Sequence, residues 1–116
     1  MSGSLNRAML IGHVGARPEL RTNAAGVRVA TFSLATGRPR SAGAESVTEW
    51  HRIVAWDALA VLIERRVDKG ARLYVEGRVE YRSWTDRTGR SRTATEIIAE
   101  DVMLFESRAR GAARSP

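Results

Sequence analysis

The chain contains no cysteine, which removes disulfides, thiolate metal sites and cysteine nucleophiles at a stroke. Histidine is almost as scarce: His13 and His51 are the only two, and no ligand spacing for a zinc site exists. No apolar run approaches the roughly 20 residues that a membrane span requires. The first residues, Met1 to Arg7, lack the basic region and long apolar stretch of a secretory leader. The expectation is a cytoplasmic protein without a membrane partner. Lysine is reduced to Lys69, and the 13 acids are scattered rather than clustered, so no carboxylate site for a catalytic metal emerges. The expectation is a protein that is not an enzyme and needs no cofactor.

What is present bounds the answer further. At 116 residues the chain suffices for one domain with its own core and not for two. Its 43% hydrophobic and 28% charged residues are the balance of a globular protein. The net charge of +6 favours an acidic polymer, nucleic acid before anionic membrane. Arginine supplies nearly all of it, and a planar guanidinium suits phosphate and base stacking. A GC-rich coding bias produces the same excess, so charge alone decides little.

Five apolar-rich stretches are set apart by turn-like clusters. The first is Ala8 to Val14, closed by Gly15 and Pro18; the second, Val27 to Thr36, alternates with period 2. The polar run Gly37 to Ser46 reads as a long hairpin loop, and Val47 to Trp56 as the third strand. At Asp57 the period changes to 3.6. Leu59, Leu62, Ile63 and Val67 fall at helical spacing, with Asp57 placed to cap the first turn and Gly70 where the helix stops. Strand four is Leu73 to Trp84, with Leu73, Val75, Val79 and Tyr81 on its apolar face. A turn at Asp86 to Arg90 leads into strand five, about Arg92 to Phe105. Three strands, one helix and two strands is the order of an all-β OB-fold with one helix, a five-stranded Greek-key barrel. An SH3-like barrel has no place for a helix of this length. The domain is expected to span residues 1–105, with 106–116 a short, basic, disordered tail.

The tryptophans carry the chemistry. Trp50, Arg52, Val54 and Trp56 share one parity of strand three, so two indoles and a guanidinium project from one face. Trp84 shares parity with Arg72, Tyr74, Arg78 and Arg82 on strand four. Flat platforms for unstacked bases beside cations for the backbone are what sequence-tolerant single-strand binding needs. The alternative, tryptophans that simply fill a core, fits poorly with three indoles each within a few residues of arginine.

The segments Asn6 to Gly12, Thr48 to Val54 (Thr-Glu-Trp-His-Arg-Ile-Val), Lys69 to Gly77 and Trp84 to Gly89 resemble, in order and spacing, the bacterial single-stranded DNA-binding protein family. The resemblance covers about residues 5 to 105. It implies an OB-fold, assembled as a homotetramer, that binds and wraps single-stranded DNA without sequence preference during replication, recombination or repair. It places Trp50 and Trp84 on the family's base-stacking tryptophans, Trp56 on its stacking phenylalanine, and His51 on its subunit-interface histidine. Arg7, Arg52 and Arg82 match basic positions and are the expected phosphate contacts. Arg38 and Arg40 in the long loop, and Arg87, Arg90 and Arg92 at the second hairpin, are expected as cationic arms, with solvated surface charge the alternative for any one of them.

Three departures accompany the resemblance. Arg40 stands where many members carry a further tryptophan. Ala58 and Ser83 stand where some carry lysine. The chain ends at Arg114-Ser115-Pro116, without the acidic tip that recruits replication and repair enzymes, so recruitment is not carried over. A primosomal accessory role stays open at this point. A cold-shock protein lacks support because its aromatic motif is missing, and an OB-fold nuclease because its carboxylates are.

Overall fold

The computed structural model describes residues 3–39 and 46–105; Arg40 and the 106–116 tail, both named above, lie outside them. Seven elements follow in order: β1 (Ala8–Val14), β2 (Glu19–Thr22), β3 (Arg28–Pro39), β4 (Ser46–Trp56), α1 (Ala58–Arg66), β5 (Arg72–Thr85) and β6 (Ser91–Leu104). The sheet order is β1-β5-β6-β4-β3-β2, and a further β1–β3 pairing brings His13 and Val14 against Ala35 and Leu34. That pairing closes the five long strands into the expected OB barrel, with α1 between β4 and β5. All pairings are antiparallel except β4–β6, where Arg52–Val54 run parallel to Glu96–Ile98.

Period-2 alternation places the core. Ala30, Phe32 and Leu34 of β3 point inward with Ile53 and Ala55 of β4, Leu73 and Val75 of β5, and Ile97 and Ala99 of β6. Two close strand approaches fall where a glycine sits. A Cβ on Gly12 would collide with the Ala35 carbonyl, and one on Gly77 with the Ile98 carbonyl. A bulge between Glu76 and Gly77 bends β5 at the same point.

Five expectations need correction. β2 is a strand beyond the five expected; its four residues carry one half-buried apolar side chain, Leu20, too little for a visible alternation. The short strand is held by a turn in which Asn23 Oδ1 accepts the N–H groups of Ala25 and Val27. Leu62 is exposed, and α1 buries Ala60 and Ile63 instead, with Val67 covered just beyond its end. Asp57 occupies the N-cap position but makes no side-chain cap; its φ of 57° turns it away from the helix, and its N–H donates to the Arg28 carbonyl. Gly70 ends not the helix, which stops at Arg66, but the turn after it.

Tyr81, assigned above to the core face, is 74% exposed. β5 and β6 are 14 residues each, and towards their shared turn the burial pattern becomes exposed on both faces among the described residues. Alternation continues there without a core to fill. Among the described residues, no helix is long and apolar enough to cross a membrane.

Candidate nucleic-acid interface

β4 and β3 lie in register with Trp50 opposite Ala35, Arg52 opposite Ser33 and Trp56 opposite Val29. The neighbours on β3 are small or short, and both indoles keep part of their surface in water. Trp50 is 59% exposed, Trp56 41% and Trp84 39%. An indole with that much surface in water forgoes further apolar burial and leaves a flat face open to a ligand. Between Trp50 and Trp56 the strand surface is sealed by Val54, buried with Val29 and Ile98 in a small apolar cluster on the outer side of the wall. The Trp50 ring rests over Gly15, where any Cβ would overlap it. Glycine at that turn is therefore a seat for the platform.

Trp84 joins this face through arginine. The Arg82 guanidinium lies over its ring, 4.5 Å from the centroid. Arg82 Nε also donates to Glu96 Oε2 at 3.0 Å, and Arg52 Nε donates to the same oxygen at 2.8 Å. Glu96 is 6% exposed and thus ties β4 to β5 across β6. Burial raises its pKa, but the hydrogen bonds from Arg52 and then Arg82 outweigh that, so the carboxyl lies below its ordinary value and stays ionised. Glu96 was not anticipated from the sequence. Its signal was a lone carboxylate entering the apolar run Ile97-Ile98-Ala99, where an acid is tolerated only if paired.

The other expected cations are distributed as follows. Arg7 is ion-paired with Glu76, across the β1–β5 pairing, and not with the carboxylate that Arg52 and Arg82 share. Arg38 donates to Glu49 at 2.7 Å and Arg92 to Asp86 at 2.8 Å. Arg90 is exposed in the β5–β6 turn, its backbone N–H bound to Asp86 Oδ1. Arg87 is exposed in the same turn. His51 points to the opposite side of β4 from Trp50, half-buried, with Nε2 2.8 Å from Thr36 Oγ1. Among the described residues no group of three or more His, Asp or Glu side chains is arranged to hold a metal.

Residues 5–105 match the model of the single-strand binding protein family. The chain belongs to that family. Among its relatives, single-stranded DNA-binding protein 1 of Chlorobaculum tepidum is 42% identical over 119 residues, covering 99% of this chain and 74% of the relative. The single-stranded DNA-binding protein of Rickettsia felis is 41% identical over 118 residues, covering 93% and 77%. A solved structure described as the Plasmodium falciparum SSB complex with ssDNA superposes with a TM-score of 0.81 at 38% identity, covering 91% of this chain and 99% of that one. As a member of the single-strand binding protein family, the chain has the barrel its element order predicted.

Proposed function

We propose that the protein binds and protects single-stranded DNA without sequence preference, during replication, recombination or repair, as a non-catalytic homotetramer. The observation that carries this reading is three partly exposed tryptophans around an arginine pair on one wall of the barrel. In it Trp50, Trp56 and Trp84 stack on unpaired bases, each stacked base contributing on the order of 1–3 kcal/mol. Arg52 and Arg82 contact phosphates, aided by Arg7 and by Arg90 and Arg40 as loop contacts. His51 belongs to a contact between subunits. Every base has a flat face, so such platforms are indifferent to sequence. Relatives named as single-stranded DNA-binding proteins, and a neighbour described in complex with single-stranded DNA, support the same ligand.

Intrinsic fluorescence tests it. Saturating oligothymidine is expected to quench tryptophan emission strongly, and duplex DNA far less, because duplex bases already stack on each other. Unchanged emission at saturation with oligothymidine would remove the stacking mechanism.

A further inference from the structure

Three glycines among the described residues have no room for a side chain, and what crowds them differs. A Cβ on Gly12 or Gly77 would run into a backbone carbonyl of a neighbouring strand. A Cβ on Gly15 would instead overlap Cζ3 and Cη2 of Trp50, and its three nearest atoms all belong to that ring. Backbone conformation does not call for glycine there, because Gly15 lacks the positive φ that Gly3, Gly26, Gly70 and Gly89 adopt. The residue type at position 15 is therefore tied to one side chain, an exposed indole 35 positions further along the chain.

The sheet register explains how a β4 side chain reaches the β1–β2 loop. Trp50 stands opposite Ala35, and Ala35 opposite His13, in one row across β4, β3 and β1. Gly15 follows two residues after His13 and so lies on the same side of the sheet. To reach it the indole crosses β3, where the small Ala35 leaves it room. The seat itself is pinned. Gly15 N–H donates to the Ser33 carbonyl at 3.0 Å, Val14 N–H to the Ala71 carbonyl at 2.9 Å, and Gly70 N–H to the Val14 carbonyl at 2.8 Å. The ring is not pinned in this way: it is more than half exposed and turns on two side-chain torsions. A methyl group at position 15 would displace the ring and leave the barrel where it is.

We propose that Gly15 is a positioning residue for base stacking, which by having no side chain holds the Trp50 ring against the β1–β2 loop in one pose. A swinging indole must be ordered when a base lands on it, at a cost in side-chain entropy. An indole already seated on Gly15 avoids much of that cost, and its open face has a fixed direction. The proposal rests on the single-strand reading above and adds to it a residue that acts through Trp50.

The test uses the intact protein. Gly15→Ala is expected to move the Trp50 indole N–H resonance, assigned with Trp50→Phe, more than those of Trp56 and Trp84. Its thermal midpoint should stay close to that of wild type, whereas Gly12→Ala, which meets a carbonyl, should melt well below it. Affinity for oligothymidine is expected to fall about fivefold at every salt concentration, the lower end of what one stacked base supplies. The slope of log affinity against log salt should not change, because no phosphate contact is lost. In a Trp50→Ala background the ring is gone, and adding Gly15→Ala should cause no further loss. An equal loss in that background overturns the proposal, since Gly15 would then act on DNA or on the fold directly. So does an unmoved Trp50 resonance, and so does wild-type affinity in Gly15→Ala. Failure of the single-strand reading itself looks different: wild type then binds no oligothymidine, whatever the Trp50 resonance does.

Discussion

Glu96 sets the behaviour of the binding face at the level of single residues. One carboxylate shared by two guanidiniums aligns Arg52 and Arg82, and through Arg82 it steadies Trp84. It also competes with any phosphate for the same donors. Glu96→Gln keeps an acceptor oxygen and removes the charge, so both arginines become better phosphate ligands. The expected outcome is tighter binding of oligothymidine at low salt and a salt slope steeper by up to about 1.4, two phosphates at about 0.7 each. Folding should be somewhat less stable, because a buried charged hydrogen bond is exchanged for a neutral one. Titrations of wild type and variant at several salt concentrations decide this; an unchanged slope would mean that the pair remains closed when DNA is bound. The tryptophans and arginines of this face were legible in the sequence as parity along β4 and β5. The carboxylate beneath them was not, because its partners come from strands 14 and 44 residues away in sequence.

Among the elements, the two ends where a strand gives way to something else hold the informative strain and charge. Asp57, between β4 and α1, has φ 57° and ψ −122°, a conformation natural to glycine, and its side chain makes no cap. The side chain does nothing to offset the backbone cost of about 1–3 kcal/mol. Asp57→Gly is expected to stabilise the protein by about 1 kcal/mol after the extra freedom of glycine in the unfolded chain is counted. That is a rise of several degrees in the midpoint of a thermal melt. At the other end, Asp86 binds the β5–β6 turn together. Thr88 Oγ1 donates to its carboxylate first, then Arg92 and the Arg90 N–H, holding its pKa at about 2 against an ordinary 3.8. A depressed carboxyl contributes stability above its unfolded value and loses it as pH falls through the folded one. The hairpin should therefore hold at pH 5 and loosen between about pH 4 and 2, read as NMR shifts of Thr88 and Arg90. Asp86→Asn should abolish that transition. The turn was readable from Asp86-Arg87-Thr88-Gly89-Arg90 because local hydrogen bonds dictate it. The Asp57 conformation was not, since a helix start looks the same in sequence whether the cap is made or missed.

For the molecule as a whole, the barrel order was legible because long alternating runs and one helical run leave few closures, and the path of Tyr81 was not, because alternation does not record where the opposite wall ends. The same limit applies to the second exposed side of the barrel. Ile11 of β1, Tyr74 of β5 and Met103 of β6 are in register across three neighbouring strands, and Met9 lies two residues from Ile11 on the same side. Met9, Ile11 and Met103 are 61%, 49% and 57% exposed. Such a row has no stabilising role in an isolated barrel, and continuous exposed apolar surface marks a contact. A second copy of the chain is the occupant that the proposed homotetramer requires, with His51 serving a contact in the same assembly. Ile11→Glu buries a charge in that contact while leaving a monomer whose own core it does not enter. The expected result in light scattering at micromolar concentration is a wild-type mass four times that of the chain and a smaller particle for Ile11→Glu, with unchanged circular dichroism. His51→Tyr should weaken assembly in the same direction. A variant Ile11→Glu that keeps the wild-type mass would put the subunit contact elsewhere on the barrel. A wild-type monomer would remove the assembly altogether and leave each barrel to hold single-stranded DNA alone.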